Sequence, residues 1–330
     1  MEGLLSMDNA WKLLSEPPDS VFFSRNDESD PRMGDVVRRG KENYSAGVQV
    51  GIVGVPDDEG VKRNRGRVGA KEGPNEIRKA LYKFTPFIVS KAKQIAGNTI
   101  FDFGNVKVGA TLEETHERVQ AVVEGLVGNS ILPIVIGGGH DISYPCFLGF
   151  SKKAAGAGAI NLDTHLSFRK PHPHRNNGTA FRQILDSPHT PLSPMNFVDI
   201  GAQSFANAKD HYEELVDRGS TVFTLHEVQH ERIEKILELA YEIATNTTER
   251  LYVSFDLDVV RSSDSPGVSA SYPTGLTSED ILKAAHFAGL HQKTTCIDIV
   301  EVNPKYDTDG RTSKLAALII MHFMAGVANR

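Results

Sequence analysis

Six histidine and carboxylate residues stand where short apolar runs give way to polar ones. "GGGHDIS" (137–143) delivers His140. "NLDTHLSFR" (161–169) delivers Asp163 and His165, with Ser167 where the alternation would next place a ligand. "SFDLD" (254–258) delivers Asp256 and Asp258, and "DIVEVNP" (298–304) delivers Glu301. In an extended segment residues i and i+2 point the same way, so each of the two spaced pairs can reach one ion. Carboxylates this close repel one another, and a divalent cation relieves the repulsion. Imidazole and carboxylate donors without thiolate suit Mn²⁺, with zinc, cobalt, nickel or iron as alternatives. Taken singly, an Asp-x-Asp also reads as an N-cap or a solvated loop, and His140 as a satisfied core histidine.

The elements that must position these residues follow from hydrophobic pattern. Eight apolar runs read as strands: 48–55, 99–106, 131–137, 158–163, 196–201, 221–225, 251–258 and 294–302. Most are continuously apolar rather than alternating, as in strands buried on both faces. Between them, 73–84, 111–127, 231–246, 278–290 and 312–328 place apolar residues at helical spacing, with Thr111 and Ser278 as candidate N-caps. Alternating strands and helices predict a parallel sheet covered on both faces, in one domain over 47–330. Residues 1–46 are polar, with "SEPPDS" and "NDESDPR", and predict an irregular arm with one short helix at "MDNAWKLL". Ligands of open parallel sheets bind outside the carboxyl ends of the strands. All six candidate residues fall there, which a scatter of caps and core histidines would not produce.

Composition narrows the partners. With 40% hydrophobic and 24% charged residues the chain reads as a soluble globular protein. A net charge of −6 gives no basic footprint for nucleic acid. No apolar run reaches the roughly 18–20 residues of a membrane span. The first twenty residues lack the basic start of a signal peptide, so a cytoplasmic location is expected. Two cysteines, Cys146 and Cys296, match no zinc spacing and read as buried thiols.

The four blocks, in this order, resemble the ureohydrolases, the arginase and agmatinase family, from about residue 48 to the C-terminus. Within that family, "DEGVKRNRGRVGAKEGPNEIRKAL" (58–81), "DLDVVRSSDSPGVSA" (256–270) and "NPKYDTDGRTSKLAA" (303–317) resemble the formimidoylglutamase branch. The resemblance implies a three-layer α/β/α sandwich with a central eight-stranded, mainly parallel sheet. It implies two Mn²⁺ ions held by His140, Asp163, His165, Asp256 and Asp258, with Asp163 and Asp256 bridging. It further implies a trimer or hexamer acting on a small molecule. The implied reaction is cleavage of N-formimidoyl-L-glutamate to L-glutamate and formamide by metal-activated hydroxide. In that reaction His140, Asp163 and Glu301 are catalytic, and Glu301 holds the amidine-like group. Arg169, Asn177 and Thr179 stand where the family recognises the amino-acid part. Arginase and agmatinase are the neighbouring activities.

One position departs from the family pattern. Ser167 stands where a sixth ligand, an aspartate, is expected; that residue also steers the proton of the attacking oxygen. Serine is neutral and a weak ligand, so the ion beside His140 loses an anion while the ion beside His165 keeps its set. The alternative to a hydrolase is a metal-poor pseudoenzyme or amino-acid-binding protein. Phe181 stands near the position of the arginase shuttle histidine, and His172 and His174 in the same loop are candidates to replace the lost group.

Overall fold

The computed structural model describes residues 7–88, 91, 93–95, 99–152, 154–188 and 190–330; the first six residues of the expected arm lie outside them. Each expected apolar run is a strand: β1 (Val50–Gly54), β2 (Ile100–Val106), β3 (Leu132–Ile136), β4 (Ala157–Leu162), β5 (Leu192–Ala202), β6 (Thr221–Thr224), β7 (Arg250–Asp256) and β8 (Thr294–Val300). They lie in the order β2-β1-β3-β8-β7-β4-β5-β6, and every neighbouring pair is parallel. Strands β1 to β4 are buried along their whole length, which is why their sequences show no polar alternation.

Among the described residues the sheet has ten strands rather than eight. Two pieces of the N-terminal segment add to β2: Leu14–Ser15 antiparallel and Arg38–Arg39 parallel. Two-residue pairings carry no readable period, so the pattern does not announce them. The expected short helix is Met7–Lys12. From it, Trp11 packs on Phe101 and Phe103 with ring centroids 5.9 and 5.2 Å away. The segment is thus laid against the sheet edge.

The two faces of the sheet carry separate cores. Helices Gly73–Leu81, Leu225–Glu231, Ile233–Ala244, Ser278–Leu290 and Arg311–Val327 cover one, packing on residues such as Ile52, Ile134, Val253 and Ile299. Helices Met7–Lys12, Leu112–Gly128, Ser143–Ser151, Ala180–Asp186 and Lys209–Asp217 cover the other, over Val53, Val135, Tyr252 and Cys296. Alternate strand residues feed alternate cores, the consequence of a two-residue side-chain period. Both cysteines are free and buried. No helix among the described residues is long and apolar enough to cross a membrane.

Helix ends adjust the expected boundaries. Thr111 caps Leu112–Gly128 by accepting from the Glu114 N–H. The cap of Ser278–Leu290 is Thr277 rather than Ser278: its hydroxyl accepts from the Asp280 N–H, and Asp280 reaches back to the Thr277 N–H. The helix expected over 231–246 begins at Ile233 because Arg232, at φ 69°, breaks it from Leu225–Glu231.

Candidate metal centre

Four strands adjacent in the sheet, β3, β8, β7 and β4, deliver all six candidate residues at one rim. β3 runs through three glycines into the turn His140–Ile142. Gly138 makes that turn possible: a Cβ there would lie 1.6 Å from the Asp57 carbonyl oxygen. β7 ends on Asp256, and Asp258 sits in the following turn. β4 ends just before Asp163, and β8 just before Glu301.

The side chains form two donor groups, His140–Asp163–Asp256 and Asp163–His165–Asp258, each with its ligand atoms within 4.8 Å of one another. His140 Nδ1 lies 3.1 Å from Asp163 Oδ2 and 3.0 Å from Asp256 Oδ2. His165 Nδ1 lies 3.1 Å from Asp258 Oδ2 and 3.5 Å from Asp163 Oδ1. Backbone fixes the acids: the His165 N–H donates to Asp163 Oδ1 at 2.7 Å, and the Asp258 N–H to Asp256 Oδ1 at 2.8 Å. The far nitrogen of His140, Nε2, lies 3.1 Å from Ser254 Oγ, which leaves Nδ1 to face the acids.

Electrostatics ask for a cation here. Burial and the carboxylates of Asp258 and Asp163 push Asp256 well above the usual carboxylate range. Burial also raises Asp258, against the pull of His165. Burial opposes the charged form of His140, yet Asp163 and Asp256 outweigh it and hold the imidazole pKa high. Protons are thus favoured on Asp256 and Asp258 as well as on His140, and a divalent ion between the donors would replace them. The set of two imidazoles and three carboxylates fits such an ion.

Ser167 occupies the gap in the first group. Its hydroxyl donates to Asp163 Oδ2 at 2.9 Å and lies 3.2 Å from His140 Nδ1. Its backbone is left-handed, φ 47°, and so is that of Glu301, φ 68°. Such conformations are uncommon for residues with a side chain and gather at functional sites.

Glu301 lies beside the metal groups, wholly buried. Its Oε1 accepts from the His140 N–H at 2.7 Å and from Asn177 Nδ2 at 2.9 Å, and its Oε2 from Ser269 Oγ. Burial raises its pKa to about 7 against those donors. Asn177, expected as a substrate contact, lines the cavity and gives its amide nitrogen to Glu301.

His140, His165, Ser167, Asp256 and Asp258 open on a cavity of about 480 Å³, while Asp163 and Glu301 lie behind its wall, Glu301 next to the lining residues Asn177 and Ser269. Arg169 and Asn177 line it; Thr179 does not. The Thr179 hydroxyl is buried, donating to the Asn176 carbonyl and accepting from Gln183 Nε2. His172 and His174 are exposed and do not line the cavity, whereas His211, from helix Lys209–Asp217, does. Phe181 packs edge-on against His140 at 5.8 Å. Sequence reading also passes over Ser269, Tyr272 and Asn207. Ser269 was within reach, since it lies in the block 256–270; its partner is set by a bridge between Val268 and Val302 that no local pattern signals.

Sheet order and donor set together define an α/β/α protein with a rim built for divalent metal. The chain belongs to the Arginase family, whose model matches residues 48–326. Formimidoylglutamase of Staphylococcus carnosus is 33% identical over 277 residues, covering 83% of this chain and 85% of that one. Formimidoylglutamase of a Geobacillus strain is 31% identical, covering 90% of each. The crystal structure of Trypanosoma cruzi formiminoglutamase with Mn²⁺ superposes with a TM-score of 0.85 at 30% identity, over 91% of this chain and 99% of that one.

Proposed function

We propose that the protein hydrolyses N-formimidoyl-L-glutamate to L-glutamate and formamide. Manganese would be held by His140, Asp163 and Asp256 on one side and by Asp163, His165 and Asp258 on the other, Asp163 belonging to both groups. Bound there, the metal supplies Lewis acidity and a water acidic enough to act as nucleophile at neutral pH. The observation that carries the reading is the shared Asp163 between two donor groups beside a pre-oriented Glu301.

The chain's own residues do the rest. Glu301 has both oxygens tethered by donors, so its carboxylate is fixed before substrate arrives. A planar formimidoyl group, donating two N–H bonds to a fixed carboxylate, is thereby oriented with its carbon toward the metal rim. Water adds to that carbon, the bond to the glutamate nitrogen breaks, and that nitrogen takes a proton. Burial of Asp163, Asp256 and Glu301 keeps bulk water from competing. Arg169 at the exposed end of the cavity is placed to take a carboxylate of the amino-acid part.

The test is to assay N-formimidoyl-L-glutamate, arginine and agmatine side by side on manganese-loaded protein. Preference for the first is expected; equal turnover of all three, or of arginine alone, removes the assignment. One observation favours a second reading, a binding protein without turnover: Ser167 leaves the first donor group an anion short. Elemental analysis showing almost no metal after loading, with no hydrolysis, would establish that reading instead.

A further inference from the structure

The cavity is polarised along its depth. Its floor holds Asp256 and Asp258 with His140 and His165. The groups lining it away from that floor that can carry positive charge are Arg169, which is exposed, and His211, which is partly so. No acidic side chain lines this outer part. A ligand matched to such a cavity is cationic at its inner end and anionic at its outer end.

We propose that His211 is a specificity-determining residue that pairs with Arg169 to receive a ligand bearing two carboxylates. The inference rests on the function proposed above and deepens it, because one guanidinium satisfies one carboxylate bidentately and a second acid needs a second donor. Arg169 is free for this role. Its guanidinium donates to Asn64 Oδ1 at 3.3 Å, a neutral acceptor, and pairs with no carboxylate among the described residues. The other guanidinium near His211 is taken: Arg182 is paired to Asp186 and Glu214 at 2.7 Å each. His211 has no ion-pair partner among the described residues, so its ring nitrogens are available to the cavity. Burial and the charges of Arg169 and Arg182 depress its pKa despite Asp210 and Glu214 nearby. A carboxylate arriving beside the ring would favour its charged form. Helix Lys209–Asp217 is anchored through Glu214 to Arg182 and Arg218, which holds the imidazole in place before ligand arrives.

The experiment measures binding of glutarate and of its half-amide, glutaramate, to manganese-loaded full-length protein by calorimetry. The two probes have the same length and differ by one negative charge. The unaltered protein is expected to bind glutarate at least tenfold more tightly. His211→Ala should bring the two affinities within about twofold of each other, chiefly by weakening glutarate. His211→Gln, which keeps a donor but cannot be charged, should fall between. A ratio unchanged in His211→Ala, or near one in the unaltered protein, overturns the inference. Failure to hydrolyse N-formimidoyl-L-glutamate while the ratio persists removes the proposed reaction and leaves the two-carboxylate receptor standing.

Discussion

At the scale of the residue, Ser167 decides how the metal rim behaves. Its hydroxyl sits 2.9 Å from Asp163 Oδ2 and 3.2 Å from His140 Nδ1, which is where a sixth ligand would point. Its left-handed backbone suits aspartate better than serine, since Asp is enriched there. Ser167→Asp is therefore compatible with the main chain. Without metal it would set a new carboxylate against Asp163, and like charges that close are destabilising. With metal the same carboxylate becomes a ligand. The variant is expected to melt below the parent when stripped by chelator and above it when loaded with manganese, the crossing being metal linkage. It should also raise kcat by about 10²-fold or more, the low end for a positioned acid–base group. A melting temperature that moves the same way with and without metal would show that the side chain points elsewhere.

At the scale of the element, legibility followed period. Each of the eight buried strands is written as a continuous apolar run, and each of the six rim residues lies at or just beyond the end of such a run. Because an end of a strand is a place in the sheet, the metal rim could be read from sequence before the order of strands was known. The rest depends on contacts between elements. Leu14–Ser15 and Arg38–Arg39 have no period to show. Helix Ser143–Ser151, "SYPCFLGFS", is apolar nearly all round because it is buried, so no amphipathic stripe marks it. His172 and His174 are near the metal ligands in sequence and face solvent, whereas His211 is 44 positions beyond Ser167 and lines the same cavity. The helix that carries His211 is held by carboxylates: Asp186 and Glu214 pair with Arg182 and Arg218 at 2.5–2.7 Å. Burial opposes the charged form of Asp186, and the two arginines outweigh it; for Glu214 the Arg182 bond leads. Both pKa values are depressed on folding. Their contribution is therefore full above the unfolded carboxylate range and is lost as pH falls through the lower, folded values. Both side chains are substantially exposed, which limits the size of the effect. Hydrogen exchange at acid pH should show Lys209–Asp217 losing protection before the strands do. Loss of protection at the same pH for both would mean that these pairs do not hold the helix.

At the scale of the whole molecule, the rim rests on a charge buried far from it. Arg78, on helix Gly73–Leu81, has no exposed side-chain surface. Its guanidinium donates to both oxygens of Asp102 at 2.8 and 2.9 Å, to Asn105 Oδ1 at 2.7 Å and to the Gly104 carbonyl at 2.8 Å. Tyr82 OH donates to the same Asp102. The network ties the helix to β2, the strand on which the N-terminal segment is laid. The start of that helix in turn packs on the turns that carry the chemistry. A Cβ on Gly73 would meet the Val302 carbonyl oxygen at 2.7 Å and that of Gly137 at 3.2 Å, next to Glu301 and the glycine turn of His140. Removing one member of a buried pair leaves the other charge unpaired in a low dielectric, which costs about 3–5 kcal/mol, whereas replacing both members is far milder. Arg78→Met keeps most of the volume and removes the charge. It is expected to lower the urea midpoint by that order with the slope unchanged, because the native surface is preserved. Arg78→Met combined with Asp102→Asn removes the orphaned charge and should recover a substantial part of the loss, since the amide oxygen can still accept from the Gly104 N–H, which now bonds Asp102 Oδ1 at 2.8 Å, while the Tyr82 hydroxyl, now on Oδ2, can turn to accept from the amide nitrogen. If the double variant is no more stable than the single one, the loss comes from packing and hydrogen bonds around Asn105 and Gly104 rather than from charge, and Arg78 serves as a spacer between helix and strand.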